Sequence, residues 1–279
     1  MVGDPSGTRV GGGRVMPELI ADAINPKDRL ALLDAIVVLS REAGRIILPF
    51  YREEVVVDDK ADGSPVTDAD RAADALIVPA LKTLTPDIPV VSEESVEAGD
   101  IPDVSGGRFW LVDPLDGTKE FIHKRGDFTV NIGLIWDGAP VLGVVHTPVD
   151  GVVHAGAVGY GAWKEDADGN RVPITVRAAD PDNITVVASL SHRNPALEDW
   201  IAARKVARSV SRGSALKFCL VAQGEADLYP RTGPTMEWDT AAGHALLLAA
   251  GGRMTALDGG PFRYAKPDFR NGHFLASGA

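Results

Sequence analysis

Trp110-Leu111-Val112-Asp113-Pro114-Leu115-Asp116-Gly117-Thr118-Lys119-Glu120-Phe121 is an apolar run that ends in two carboxylates and a turn. Phe109 to Val112 predicts a short buried strand, and Pro114 and Gly117 force the backbone to turn where Asp113 and Asp116 are delivered. Just upstream, Ile88 to Val91 is a second apolar strand followed at once by Ser92-Glu93-Glu94-Ser95. Downstream, Phe128 to Trp136 alternates, Val141 to His146 follows the Asp137-Gly138 turn, and Val152 to Val158 follows Asp150-Gly151, which predicts successive antiparallel strands. Further upstream the period changes. Leu30, Leu33, Ile36, Val37, Ile47 and Leu48 recur at helical spacing between Asp28 and Phe50, with Pro49 limiting the helix. A short extended segment at Val55 to Val57 leads into a turn at Gly63 to Pro65. A second helix starts near Thr67 or Asp68, carries Ala72, Ala75, Leu76 and Ala80, and is bent or ended by Pro79.

Residues 165–172 are polar and read as an exposed hairpin or a domain-boundary loop. Beyond them strands and helices alternate: strand Ile184 to Ala188, helix Pro195 to Ala203, strand Val206 to Val210, helix Ala215 to Gln223, strand Ala226 to Tyr229, and a long helix Glu237 to Ala250 stopped by Gly251-Gly252. The class is α/β or α+β in two layered halves. Residues 1–15, rich in Gly and Arg, lack the apolar region of a signal peptide and are expected to be a disordered leader or expression remnant, with Met16 a candidate start. The expected division is a flexible leader at 1–27, an N-terminal α+β domain at 28–170 and a C-terminal α/β domain at 171–279.

The 279 residues carry 28 Lys+Arg against 39 Asp+Glu, a net charge of −11, which argues against nonspecific binding to nucleic-acid polymers or anionic membranes. No apolar run approaches the length of a transmembrane helix, so the cytoplasm is the default, with association at the inner face of the cell membrane left open. A single cysteine excludes an intramolecular disulfide framework and any cysteine-cluster metal site, and Cys219 reads as a small buried hydrophobe.

Asp-Pro and Asp-Gly are common turn dipeptides, so Asp113 to Gly117 alone reads as a turn as readily as a site. Recurrence shifts the balance: Glu93 follows another strand and Asp239 opens the long helix, and acidic residues at strand ends and helix starts are where metal sites are built. Hard divalent cations such as Mg²⁺ take oxygen ligands in near-octahedral geometry, and the Leu115 carbonyl lies between Asp113 and Asp116. A helix beginning near Thr118 would present N–H groups to a phosphate. The pattern fits no EF-hand, P-loop, dinucleotide fingerprint or Gly-x-Ser-x-Gly elbow.

Pro65-Val66-Thr67-Asp68-Ala69-Asp70, Val91-Ser92-Glu93-Glu94-Ser95, Asp113-Pro114-Leu115-Asp116-Gly117-Thr118 and Trp238-Asp239-Thr240-Ala241-Ala242-Gly243 together resemble the ordered motif set of the inositol monophosphatase superfamily. The resemblance covers the chain from about residue 28. Thr118-Lys119-Glu120-Phe121-Ile122, Gly126-Asp127-Phe128-Thr129-Val130-Asn131-Ile132, Gly213-Ser214 with Lys217-Phe218-Cys219, and Tyr229-Pro230-Arg231 resemble its 3'(2'),5'-bisphosphate nucleotidase branch. The resemblance implies a layered α-β-α-β-α sandwich of the inositol monophosphatase and fructose-1,6-bisphosphatase type. It also implies two or three Mg²⁺ ions, lithium sensitivity and hydrolysis of the 3'-phosphate of 3'-phosphoadenosine 5'-phosphate, with 3'-phosphoadenosine 5'-phosphosulfate as a further substrate.

Carried over by position, the resemblance assigns Glu93, Asp113, Asp116, Asp239 and the Leu115 carbonyl to the metals and Asp70 to a third metal or its water shell. Asp116 and Thr118 would orient or activate water, and the Gly117 and Thr118 N–H groups would grip the scissile phosphate, with Asp239 also near substrate. Ser191, His192, Ser214, Lys217 and Arg231 are candidates for the nucleoside and its second phosphate; alone, Lys217 and Arg231 would each read as solvated surface charges. His244 reads as structural. The alternatives are an inositol monophosphatase or fructose-1,6-bisphosphatase using the same metals, and a non-catalytic metal- or nucleotide-binding regulator. The expected partner is a small bisphosphorylated nucleotide; a homodimer stays open.

Overall fold

The computed structural model describes residues 26–52, 57–59, 65–189 and 194–279. The first helix, α1 (Pro26–Arg52), buries Leu33, Ile36, Val37, Ala43 and Ile47 of the expected stripe, leaves Leu30 exposed and Leu48 half-buried at its margins, and carries Pro49 in its last turn. Strands β1 (Val57–Asp59) and β2 (Pro65–Thr67) form an antiparallel pair; Val55 and the Gly63–Ser64 part of the expected turn lie outside the described residues. Thr67 caps α2 (Asp68–Leu84): its hydroxyl accepts from the Ala69 N–H at 3.2 Å, and Asp70 Oδ2 accepts from the Thr67 N–H at 2.9 Å. Pro79, expected to bend or end this helix, lies inside it. Its missing N–H removes one rung, but Ile77, Val78 and Leu81 are buried around it, and their packing carries the helix on to Leu84.

Strand β3 (Val90–Ser92) leads into the short helix α3 (Glu93–Glu97), β4 (Arg108–Asp116) into α4 (Thr118–Ile122), and then β5 (Thr129–Trp136), β6 (Ala139–Thr147), β7 (Val152–Ala157), β8 (Gly161–Glu165) and β9 (Arg171–Ile174) follow. They form one seven-stranded sheet in sequence order from β3 to β9, parallel between β3 and β4 and antiparallel elsewhere. Residues 165–172 prove to be the β8–β9 hairpin of this sheet. The second half supplies β10 (Ile184–Ser189), α5 (Pro195–Ala202), β11 (Val206–Arg212), α6 (Leu216–Ala222), β12 (Leu228–Arg231), β13 (Thr235–Met236), α7 (Glu237–Ala249), β14 (Arg253–Ala256), β15 (Arg270–Asn271) and β16 (Phe274–Ser277). A five-stranded sheet runs in the order β11-β10-β12-β16-β14, with α5 as the crossover between parallel β10 and β11. Gly251, at φ +90°, stops α7 as expected.

One face of the large sheet is covered by α1 and α2; α7 lies on the other, with α6 and the second sheet behind it. This is the α-β-α-β-α sandwich. A row of glycines seats α7: Gly133, Gly143 and Gly156 are direct cross-strand partners on β5, β6 and β7. A Cβ on Gly143 would lie 2.2 Å from the Ala242 carbonyl oxygen, and one on Gly156 would lie 2.8 Å from the Ala249 Cβ. Backbone therefore meets backbone across the layer, and the start of α7, which bears Asp239, is registered on the sheet that bears Asp113 and Asp116. Among the described residues no helix is long and apolar enough to cross a membrane.

Candidate active site

Asp113 and Asp116 stand an odd number of residues apart, which in a regular strand would put them on opposite faces. Pro114 interrupts the ladder, and the register against β5 shifts: Asp113 pairs with Asn131 and Asp116 with Thr129. One extra residue on β4 therefore returns both carboxylates to the face of Thr129 and Asn131. Gly117 then turns at φ +94°, where a Cβ would meet the Asp127 carbonyl oxygen at 3.1 Å, and α4 begins at Thr118. Thr118 Oγ1 reaches the Leu115 carbonyl at 3.5 Å.

Glu93, Asp116, Gly117, Thr118, Ser214, Lys217, Arg231 and Asp239 line one cleft of about 300 Å³, together with Ser189, Phe218, Tyr229 and Trp238. Three motifs distant in sequence thus meet: the start of α3, the β4–α4 turn and the first turn of α7. Burial pushes the Asp239 carboxyl pKa well up, and the charges of Asp116 and Glu93 raise it further. Asp113, Leu115 and Asp70 do not line the cleft. Asp113 is buried and accepts from the Leu115 N–H at 3.1 Å, and Asp70 is buried in the cap of α2. Asp239 accepts from the Met236 N–H at 2.8 Å. Among the described residues no three His, Cys, Asp or Glu side chains are gathered into a cage around a single ion position. Ser191 and His192 lie outside the described residues.

Lys217 and Arg231 are not solvated surface charges. Both are buried, Lys217 on α6 and Arg231 at the end of β12. The Lys217 ammonium donates to the Ser214 carbonyl and lies 5.4 Å from the Tyr229 ring centroid. Burial lowers its pKa to about 8, the charge of Asp116 opposes that shift, and Arg231 adds to it. Arg231 Nη2 donates to the Pro234 carbonyl at 3.0 Å, and its Nε has no hydrogen-bond partner among the described residues.

Sequence reading missed two buried residues that hold Asp116. Asn131 Nδ2 donates to Asp116 Oδ2 at 3.1 Å, and Thr129 Oγ1 donates to Asn131 Oδ1 at 2.9 Å. The available signal was two polar side chains at i and i+2 in an otherwise apolar strand. His244 is structural, as read: buried, 3.1 Å from the Tyr264 hydroxyl, and lowered to about 3 by burial. Cys219 is buried, and burial pushes its thiol pKa up.

The sequence profile of the inositol monophosphatase family matches residues 28–277. The chain is 48% identical over 249 residues to the 3'(2'),5'-bisphosphate nucleotidase CysQ of Escherichia coli, covering 88% of this chain and 99% of that one. Its fold is similar to the crystal structure of CysQ from Bacteroides thetaiotaomicron, at a TM-score of 0.76 and 37% identity over 89% of this chain and 97% of that one. It is also similar to an inositol monophosphatase from Anabaena, at a TM-score of 0.72 and 28% identity over 89% and 90%. The higher identities fall on the nucleotidase side: the chain belongs to the inositol monophosphatase family, in its 3'(2'),5'-bisphosphate nucleotidase branch.

Proposed function

We propose that this chain hydrolyses the 3'-phosphate of 3'-phosphoadenosine 5'-phosphate, giving AMP and phosphate, and also accepts 3'-phosphoadenosine 5'-phosphosulfate. The reaction depends on Mg²⁺. The observation that carries the reading is one cleft lined both by the carboxylates Glu93, Asp116 and Asp239 and by the buried cations Lys217 and Arg231. Carboxylates alone would repel a polyanionic substrate, and cations alone would make only an anion pocket.

The donor set is all oxygen, as a hard divalent cation requires, and Asp239, whose pKa is raised by burial and then by the charges of Asp116 and Glu93, is a buried carboxylate among like charges that suits a cation. Glu93, Asp113, Asp116, Asp239 and the Leu115 carbonyl would hold two ions, with Asp70 at a third or in its water shell. When bound, Mg²⁺ supplies Lewis-acid charge to the phosphoryl and leaving oxygens and lowers the pKa of a coordinated water. Five carboxylates contribute about −5 against +4 for two ions or +6 for three, so two ions nearly neutralise the site and a third makes it net positive.

Within that frame Asp116 and Thr118 orient the attacking water, and the N–H groups of Gly117 and Thr118 bind the scissile phosphate at the left-handed turn. Arg231 and Lys217 take the second phosphate, Arg231 with a planar fork and Lys217 as a point charge. Ser191 and His192 are assigned to the nucleoside. The halves 28–170 and 171–279 divide this labour, the first giving most metal ligands and the second Asp239 and the substrate contacts. We assign the reaction to the cytoplasm, in keeping with a sequence that has one cysteine and no apolar run of transmembrane length.

Phosphate release with Mg²⁺ on 3'-phosphoadenosine 5'-phosphate, inositol 1-phosphate and fructose 1,6-bisphosphate tests the assignment. A kcat/KM for the nucleotide higher by on the order of 100-fold than for inositol 1-phosphate is expected, because a site built around a second anion rejects ligands that leave it unpaired; fructose 1,6-bisphosphate has a second phosphate but no nucleoside, so a lower kcat/KM for it reports the nucleoside contacts. A preference for inositol or sugar phosphate would overturn it.

A further inference from the structure

Asp116 has two tasks in the proposed reaction, binding metal and orienting water, yet its own turn does not fix its carboxylate. A carboxylate rotates in a broad two-fold well about its last torsion, so its plane is set by whatever donates to it. Here one oxygen takes two donors: Oδ2 accepts from Ser214 Oγ at 2.8 Å and from Asn131 Nδ2 at 3.1 Å. The other oxygen is left for the cleft that Asp116 lines.

The donors are themselves held. Thr129 Oγ1 donates to Asn131 Oδ1 at 2.9 Å, which fixes the amide with its NH₂ toward Asp116; the flipped amide would set two oxygens against each other. Thr129 Oγ1 also touches Ser214 Oγ, so that Asp116, Asn131, Thr129 and Ser214 close a ring of side chains whose Thr129–Ser214 side is a packing contact without a hydrogen bond, both hydroxyl protons being given to Asn131 and Asp116. Thr129 and Asn131 are wholly buried. Ser214 sits at φ +52°, a left-handed conformation that a residue with a side chain adopts at a cost. The preceding Gly213 is wedged in place: a Cβ there would meet the Asp127 carbonyl oxygen at 2.6 Å, and its N–H donates to Asp127 Oδ2 at 3.0 Å. The strained turn belongs to the second half of the chain and seats itself on the β4–β5 region of the first.

We infer that Thr129, Asn131 and Ser214 are positioning residues that fix the Asp116 carboxylate, and that the hydroxyl of Ser214 is spent on this task and not on the nucleoside. Docking of the second half through the Gly213–Ser214 turn then sets the orientation of a carboxylate on the first. The inference rests on the reading of Asp116 as a metal-binding carboxylate.

The test uses Thr129→Val, which keeps the shape and removes the hydroxyl, Thr129→Ser, which keeps the hydroxyl, and Ser214→Ala. Mg²⁺ affinity is measured by calorimetry without substrate, and kcat and KM with 3'-phosphoadenosine 5'-phosphate at saturating Mg²⁺. Loss of a hydrogen bond behind a metal ligand typically costs 10–100-fold in metal affinity or activity. Thr129→Val and Ser214→Ala should each weaken Mg²⁺ binding by about 10–100-fold and lower kcat, with KM within about twofold of the parent. Thr129→Ser should recover most of the lost affinity. Unchanged Mg²⁺ affinity in Ser214→Ala, a rise in KM alone, or a Thr129→Ser as impaired as Thr129→Val would each overturn the inference. Ser214 is only half-buried, so its alanine variant carries the test should Thr129→Val fail to fold. A parent protein inactive on the nucleotide would overturn the proposed reaction while leaving the calorimetric result to judge the ring.

Discussion

Replacing Gly143 with alanine should damage the protein at the seam between its layers. The new Cβ would stand 2.2 Å from the Ala242 carbonyl oxygen and 2.8 Å from the Ala245 Cβ. Ordinary carbon–oxygen contacts lie at about 3.3–3.6 Å, so α7 must retreat by roughly 1 Å. Tilting does not relieve this, because the neighbouring strands also approach α7 closely, at Gly133 and Gly156, where a Cβ would lie 2.8 Å from its nearest atom. Overpacking of this kind costs about 1–3 kcal/mol, and the rigid seat places Gly143→Ala near the upper end. At about 2–4 °C per kcal/mol for a chain of this size, the thermal midpoint should fall by roughly 6–12 °C. The same displacement carries Asp239 away from the β4 carboxylates, and a misplacement of about 1 Å can cost on the order of 100-fold in rate. The assay pairs thermal and urea unfolding with kcat/KM at saturating Mg²⁺. Gly106→Ala is the control, since among the described residues no atom lies within 4 Å of its added Cβ. A Gly143→Ala protein that melts with this control and retains kcat/KM within about twofold would refute the claim that close helix–sheet approach positions Asp239.

Other consequences concern charge. His146, His154 and His244 are buried, and burial lowers their pKa values to about 3, 4 and 3. Folded-state values below the unfolded value of about 6.5 mean that the stability present above pH 6.5 is lost as pH falls toward 4, by about 2–3 kcal/mol per residue at pH 4.5. Urea midpoints that hardly differ between pH 7.5 and 4.5 would contradict this. Asp239→Asn should raise the melting temperature in EDTA, because it relieves a buried carboxylate pressed by Asp116 and Glu93, while shrinking the stabilisation gained on adding Mg²⁺; a lower melting temperature in EDTA would count against that crowding. Arg231→Met should reduce kcat/KM for 3'-phosphoadenosine 5'-phosphate about 10–100-fold more than for adenosine 3'-phosphate, the scale of one charged hydrogen bond, and equal losses would remove Arg231 from the second-phosphate pocket.

The elements most legible in the sequence were those whose signal is local. Alternation marked β5, β6 and β7 and the Asp-Gly turns between them, helical spacing marked α1 and α7, and Thr67 marked the start of α2. Strands β14, β15 and β16 left no such mark, being two to four residues long and taking their register from distant partners. Pro79 misled because tertiary packing outweighs one missing rung.

The site divides along the same line. The four motifs carried the family and the expected carboxylates, since a metal-dependent phosphatase needs oxygen donors at strand ends and helix starts, and those positions can be read locally. Only the tertiary structure decided that the bulge at Pro114 puts Asp113 and Asp116 on one face. It also showed that Lys217 and Arg231, which alone read as surface charges, are buried cations in the cleft, and that Thr129, Asn131 and Ser214 close around Asp116. Register, burial and hydrogen-bond partnership between residues as distant as Asp116 and Ser214 depend on how the layers stack. That stacking turns on Gly133, Gly143 and Gly156, whose lack of a side chain has no meaning until α7 lies against them.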